Sequence, residues 1–236
     1  MISIRQDGGS PLRIGHRGAA KLAPANSLEA FEAAIAAGVD WIEFDVLDLA
    51  DGRLVIAHDH TASGDAHVPD LDEALDWLAA RGVGLHLDLK THAHSREVAD
   101  ALIRHDVVER TFISSHNWRV LREVAEHAPA LTRGYSYPED RLGMSKVKPL
   151  LPVTGAAVLA MRAALPRRIG RWLARANAGV AVLHYFFISR AAIERCHALG
   201  APVIAWTVDD PIRLRRLAAL GVDGVVSNDP RIFQGL

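Results

Sequence analysis

The sequence predicts an α/β fold, a single (β/α)8 barrel of the TIM type that takes residues 1–236 as one domain. An extra β-hairpin follows its second strand and a short insertion precedes its third. Three observations carry this expectation. Strand-like and helix-like segments alternate along the chain until eight strands are counted, as a parallel sheet with crossover helices requires. Several of those strands are apolar without interruption, the mark of strands covered on both faces. A chain of 236 residues, 50% of them hydrophobic, has the length and the core-forming capacity of one such barrel. The rival, an open doubly wound sheet, calls for a G-x-G-x-x-G phosphate loop, and the chain has none.

Leu12–His16 reads as the first strand. Asn26, with Glu29 three residues on, forms a capping-box pattern, and Leu28, Phe31 and Ile35 give the apolar stripe that Gly38 ends. Trp41–Leu47 is the second strand. Asp70 and Glu73 open a helix that closes near Gly82, and Leu85–Leu89 is the third strand. Ser95 is placed to cap a helix carrying Val98, Leu102 and Ile103. Thr111–Ser115 is the fourth strand, followed by an Asn117-capped helix, and Thr132–Tyr135 is the fifth. Residues 139 to 178 have the weakest pattern. Within them LPRRIGRWLARA (165 to 176) fits a basic amphipathic helix, read either as an outer barrel helix or as a surface for lipid headgroups. Val180–His184 is the sixth strand, and its helix runs from a Ser189 cap to Gly200. Val203–Thr207 is the seventh. Asp210-Pro211 starts a helix with proline at its first position, Gly221 stops it, and Gly224–Ser227 is the eighth strand.

Composition excludes several classes of partner. A net charge of −1 and a pI near 6.9 give nucleic acid nothing to bind by bulk charge. Cys196 is the only cysteine, so no intrachain disulfide forms, which favours a reducing compartment. The first residues lack the apolar stretch of a signal peptide, and no run approaches the ~18 apolar residues of a membrane span. The expectation is a soluble cytoplasmic protein without a transmembrane segment, with peripheral membrane contact through 165 to 176 left open.

The chemistry concentrates in EFDVLDLADGRLVIAHDH, residues 43 to 60. Glu43 and Asp45 alternate with apolar neighbours and so share one face of the second strand. With Asp51-Gly52 as a two-residue hairpin loop, Asp45 falls opposite His58 and Glu43 opposite His60. Barrel active sites lie at the C-terminal ends of the strands. His16-Arg17, Glu43-Asp45 and Asp88-Lys90 occupy three neighbouring ends of that kind. Three converging carboxylates, Glu43, Asp45 and Asp88, repel one another and ask for a cation. An all-oxygen set selects one hard divalent ion, Mg²⁺ or Ca²⁺. Arg17 and Lys90 add fixed positive charge suited to phosphate oxygens. His16 and His58 supply a proton acceptor and a proton donor, in an order the sequence leaves open.

Other residues are read more plainly. Asp59 either orients His58 or flanks a turn, and His60, though it shares the parity of His58, is read as lying outside the site rather than at its border. His86 packs inside the barrel. His92 and His94 form a solvated loop pair. His116, His184 and Trp206 sit near strand ends, where ligand contact and core packing are both open to them. Cys196 is packing.

Taken together, IGHRGAAKLAPANSLEAFEAAIAAGVDWIEFDV, DGRLVIAHD, LDLK, AWTVDD and GVDGVVSNDP resemble the glycerophosphodiester phosphodiesterases. The resemblance runs from Arg13 to Pro230 and is thin between about 139 and 180. It implies a TIM-type barrel and metal-dependent hydrolysis of a glycerophosphodiester to an alcohol and glycerol 3-phosphate. Carried over by position, the family's two catalytic histidines fall on His16 and His58. Its substrate-binding arginine, lysine and pocket tryptophan fall on Arg17, Lys90 and Trp206, and its metal ligands on Glu43, Asp45 and Asp88. The chain departs from the family pattern in several places. Asp88 stands where glutamate is frequent, and Pro24-Ala25-Asn26-Ser27 replaces Pro-Glu-Asn-Thr. Ser227-Asn228 replaces a Thr-Asp pair, and Asp209 replaces a common asparagine. The stretch between His58 and Asp88 is short, which opens a lysophospholipase D-like alternative acting on lysophospholipids. Two further alternatives are a zinc amidohydrolase-type barrel and a barrel that only binds a phosphorylated ligand.

Overall fold

The computed structural model describes residue 4 and residues 9–60, 68–138 and 152–236. Eight parallel strands close into a barrel. In chain order they are β1 (Leu12–His16), β2 (Trp41–Asp48), β4 (Gly84–Leu89), β5 (Thr111–Ser115), β6 (Thr132–Tyr137), β7 (Val180–His184), β8 (Val203–Trp206) and β9 (Gly224–Ser227), with β1 bonded to both β9 and β2. The short β3 (Leu54–Ile56) lies antiparallel to β2. Outside run α1 (Leu28–Ala36), α2 (Leu71–Ala79), α3 (Ser95–Arg104), α4 (Trp118–His127), α5 (Pro152–Ala176), α6 (Arg190–His197) and α7 (Pro211–Leu220). The expected barrel is therefore the observed one. The insertion before the third barrel strand falls partly on residues 61–67, and the weakly patterned stretch begins at 139–151. Both segments lie outside the described residues.

The two-residue period of each strand divides its side chains between two cores. Ile42, Phe44 and Val46 point outward to Phe31, Leu75 and Leu78 of the helices, while Trp41 points in. Inside, Ile4, Ile14, Trp41, Phe112, Val180, Val182, Ile204 and Val226 plug the barrel. Gly84 makes room for this plug, since a Cβ there would stand 2.3 Å from the Trp41 ring. The polar inward residues sit above it, at the strand ends.

Two expectations about local structure are corrected. The hairpin loop takes three residues, Ala50, Asp51 and Gly52. Leu49 N–H donates to Arg53 O at 2.9 Å, and Gly52, at φ +85°, donates to Leu49 O at 2.9 Å. A left-handed glycine closing a three-residue loop is a standard hairpin solution. The observed pairs are Val46 with Ile56, Leu47 with Val55 and Asp48 with Leu54, one residue out of the expected register. Such a slip exchanges the two faces of a strand. Asp45 is not paired with His58, nor Glu43 with His60, because the ladder ends at Ile56.

The second correction concerns α1. Its cap is Ser27, whose Oγ accepts from Ala30 N–H at 3.1 Å; Asn26 stands outside the helix at φ +60°. Ser95 likewise is the first residue of α3 rather than its cap, and its hydroxyl donates to Glu123 at 2.9 Å. The basic segment 165 to 176 is the C-terminal half of α5. It buries Leu165, Ile169 and Leu173 against α6 and the barrel, as an outer helix does.

Candidate active site

Strand register brings the site residues together. His16 on β1 is level with Glu43 on β2, Asp45 is level with Asp88 on β4, and Asp88 is level with Ser114 on β5. All three carboxylate residues are buried. Arg17 follows β1 in a tight turn at φ +51°. Gly18 completes that turn at φ +79°, where a Cβ would meet the Ala30 backbone at 2.5 Å. The turn aims the Arg17 backbone N–H at Glu43 Oε2, 2.9 Å away. It also sets the Arg17 Nε 2.9 Å from Asp45 Oδ2, an ion pair in which the N–H is not lined up for a hydrogen bond. Lys90, just past β4, reaches Asp45 Oδ1 at 3.1 Å and contacts Asp88 more closely still.

Two cations among three buried carboxylates leave an uneven charge balance. Burial pushes the Asp45 pKa up, but the charges of Lys90 and then Arg17 outweigh it and hold the group below its ordinary range. Asp88 is held low in the same way, by Lys90, by His116 and by a 2.7 Å hydrogen bond from Ser114 Oγ–H. Lys90 itself is raised, because Asp88 and Asp45 outweigh the cost of its burial. Glu43 goes the other way. Burial first, then the charges of Asp45 and Asp88, push it well above the ordinary value. His16, whose Nε2 is 3.8 Å from Glu43 Oε2, is lowered to about 4 by burial and by the Arg17 charge. At neutral pH it is an uncharged imidazole able to accept a proton.

His16, Arg17, Glu43, Asp45, Asp88 and Lys90 thus form one cluster. His58 is not joined to it. Its side chain is 45% exposed and bonds the adjacent Asp59 at 3.3 Å. The topology still carries it toward the cluster. β1 pairs with β2 only as far as Glu43, and β3 takes up β2 from Val46 onward while running back toward the end of β1. His58 follows the last β3 residue by two positions. Trp206 forms another part of the strand-end rim, with edge contacts to His116 at 6.0 Å and His184 at 5.1 Å between ring centroids, and its buried indole N–H has no partner among the described residues. Among the residues read as lying outside the site, His60 is exposed and His92 accepts from Asn117 at 2.9 Å. His86 stacks on Phe112 at 3.9 Å inside the barrel and bonds Ser114. Cys196 is buried.

Three supporting residues escaped the sequence reading. Asn26 is buried and clamps Asp45 from both sides, donating Nδ2–H to Oδ2 at 3.0 Å and accepting the Asp45 backbone N–H at 3.2 Å. Ser114 bridges His86 and Asp88. Asn228 meets the His16 Nδ1 at 2.6 Å. The one available signal for Asn26 was the adjacent Ser27, a second cap-forming residue that left Asn26 spare.

A profile of the glycerophosphoryl diester phosphodiesterase family matches residues 16–77 and 62–232. The chain belongs to that family. Glycerophosphodiester phosphodiesterase of Caldanaerobacter subterraneus subsp. tengcongensis is 27% identical, over 95% of this chain and 97% of its own length. Among solved structures, a Silicibacter pomeroyi DSS-3 protein provisionally described as a glycerophosphoryl diester phosphodiesterase is 27% identical. It superposes at a TM-score of 0.76 over 98% of this chain and 94% of its own. A phosphodiesterase of Oleispira antarctica, solved with its product sn-glycerol-3-phosphate, has the same fold at 23% identity and a TM-score of 0.72, over 95% and 96% of the two chains. Members of this family are phosphodiester hydrolases, and the cluster at the strand ends lies within the matched residues. No helix among the described residues is long and apolar enough to cross a membrane.

Proposed function

We propose that the chain hydrolyses small glycerophosphodiesters to an alcohol and glycerol 3-phosphate, with His16 and His58 exchanging protons and a divalent ion held by Glu43, Asp45 and Asp88. The observation that carries this reading is the buried cluster itself. Three carboxylates, two cations and an uncharged imidazole stand at adjacent strand ends of a barrel from this family. The donor chemistry fits a hard ion. Every donor is oxygen, and burial first, then the charges of Asp45 and Asp88, push the Glu43 pKa up, so an added cation would relieve the repulsive part of that shift. Among the described residues no three such groups are gathered into a ready-made cage, and Asp45 and Asp88 are engaged by Arg17 and Lys90. When bound, a Mg²⁺ or Ca²⁺ ion would polarise the phosphoryl oxygens.

The remaining chemistry belongs to the side chains. Arg17 and Lys90 neutralise the phosphate and the charge that builds on it as the phosphorus becomes five-coordinate. His16 Nε2 accepts the proton of the attacking hydroxyl. His58, delivered by the chain leaving β3, returns a proton to the leaving alkoxide. Trp206 walls the mouth and offers its indole N–H to a polar group of the substrate. Glycerol 3-phosphate should be released from glycerophosphocholine in the presence of Mg²⁺ or Ca²⁺, and chelation should stop it. Turnover that survives chelation removes the ion from this account.

One observation favours a second substrate class. Phe186 is 48% exposed and packs on His184 and Tyr185, and His184 in turn meets Trp206, an aromatic lip suited to an acyl chain. A lysophosphatidylcholine turned over faster than glycerophosphocholine would establish the lysophospholipase D-like reading.

A further inference from the structure

The Asn228 side chain has no freedom in its hydrogen bonds. Its Nδ2 lies 2.8 Å from Asp209 Oδ2, and its backbone N–H donates to Asp209 Oδ1 at 2.8 Å. Its carbonyl accepts from Lys21 N–H at 3.0 Å, and its Oδ1 faces His16 Nδ1 at 2.6 Å. Asp209 meanwhile accepts the Ser227 hydroxyl at 3.0 Å and pairs with Lys21 Nζ at 3.5 Å. A carboxylate surrounded by four donors is acceptor-only, so it must face the amide nitrogen of Asn228. Turning the amide over would set oxygen against oxygen. The amide oxygen is therefore committed to His16, and an oxygen can only accept, so the hydrogen of the His16 ring must sit on Nδ1.

Resting on the reading of His16 as the proton acceptor, we propose that Asp209 and Asn228 are positioning residues for the reaction, a relay that locks His16 as its Nδ1–H tautomer and leaves Nε2 as the accepting atom. Free histidine prefers the opposite tautomer, so the relay works against an intrinsic bias. Positions 209 and 228 also depart from the family's late motifs, aspartate for asparagine and asparagine for aspartate. In this fold they bond each other. They are one compensated exchange, which keeps the mutual contact and presents a neutral acceptor to the histidine.

The decisive readout is the ¹⁵N spectrum of the His16 ring in histidine-labelled protein, which distinguishes a protonated Nδ1 from a protonated Nε2 without reference to any substrate. The wild type should show Nδ1–H. Asn228→Ala should lose it, and Asp209→Asn, which lifts the ban on turning the amide over, should show a mixture. In turnover, Asn228→Ala should lower kcat by about 10- to 100-fold, the scale on which removing the partner that orients a metal-bound histidine acts, with little change in KM. Asn228→Asp alone sets two carboxylates face to face and should be as poor. The double exchange Asp209→Asn with Asn228→Asp restores a donor–acceptor pair and should recover most of the rate. A wild-type His16 carrying its hydrogen on Nε2, or an Asn228→Ala protein with unchanged tautomer and kcat, overturns the relay. Failure to turn over any glycerophosphodiester would instead remove the proposed function and leave the tautomer question answered by the spectrum.

Discussion

Replacing Asn26 by alanine should cost far more than its position before a helix suggests. The residue is buried, holds φ +60°, and makes two hydrogen bonds to Asp45. Alanine at that φ is strained by about 1–2 kcal/mol. The Asp45 backbone N–H is left in the interior without its partner, at about 1–3 kcal/mol, and the ionised Asp45 loses a charge-assisted bond of similar size. Allowing for relaxation, a destabilisation of about 3–5 kcal/mol is expected, a large part of the stability of an ordinary domain. Urea unfolding monitored by tryptophan fluorescence measures it as a fall in midpoint at unchanged slope. Asn26→Gly isolates the backbone contribution and should recover about 1 kcal/mol of the loss. Ser27→Ala is the control for helix capping and should cost about 1 kcal/mol, since Ser27 carries the cap. If Asn26→Ala costs less than Ser27→Ala, Asn26 is an ordinary turn residue and the clamp on Asp45 is refuted.

Other expectations are simpler. Gly84→Ala drives a methyl group into the Trp41 ring 2.3 Å away, and should destabilise the barrel by about 1–3 kcal/mol in the same unfolding assay. The Asp40–Arg13 pair ties β1 to the turn before β2. Burial pushes Asp40 up, but the Arg13 side-chain and backbone hydrogen bonds and the Arg13 charge outweigh it, so its folded pKa lies below the ordinary 3.8. A carboxylate lowered by folding adds stability above its unfolded pKa and loses it as pH falls through the folded one. Midpoints measured downward from pH 5 should therefore fall less steeply for Asp40→Asn than for the wild type, and identical slopes would remove the pair from the acid response.

The fold was legible because burial writes a period into the strands and because Gly38, Ser189, Asp210-Pro211 and Gly221 punctuate the helices. The cluster at the strand ends was legible for the same reason, since side-chain parity and parallel register are enough to put His16 beside Glu43 and Asp45 beside Asp88. What escaped depends on atoms rather than periods. Asp51-Gly52 fits a two-residue loop and a three-residue loop equally well, and the difference of one residue shifted the ladder, which ends at Ile56 short of His58. Asn26 and Ser27 both suit a cap, and only the left-handed backbone at Asn26 and the nearness of Asp45 separate their roles. Asp209 and Asn228 are far apart in the chain and read as two unrelated departures until the loops after β8 and β9 place them in contact.

The central claim is that the carboxylate cluster performs the hydrolysis. Its most direct test is the rate of glycerol 3-phosphate release from glycerophosphocholine in Mg²⁺ by the wild type and by Glu43→Gln, a change that keeps the shape of the side chain and removes its charge. The kcat of Glu43→Gln should fall by about 100-fold or more, on the scale of losing a group that stabilises developing charge, with the circular dichroism spectrum unchanged. A Glu43→Gln protein that releases product at the wild-type rate would contradict it.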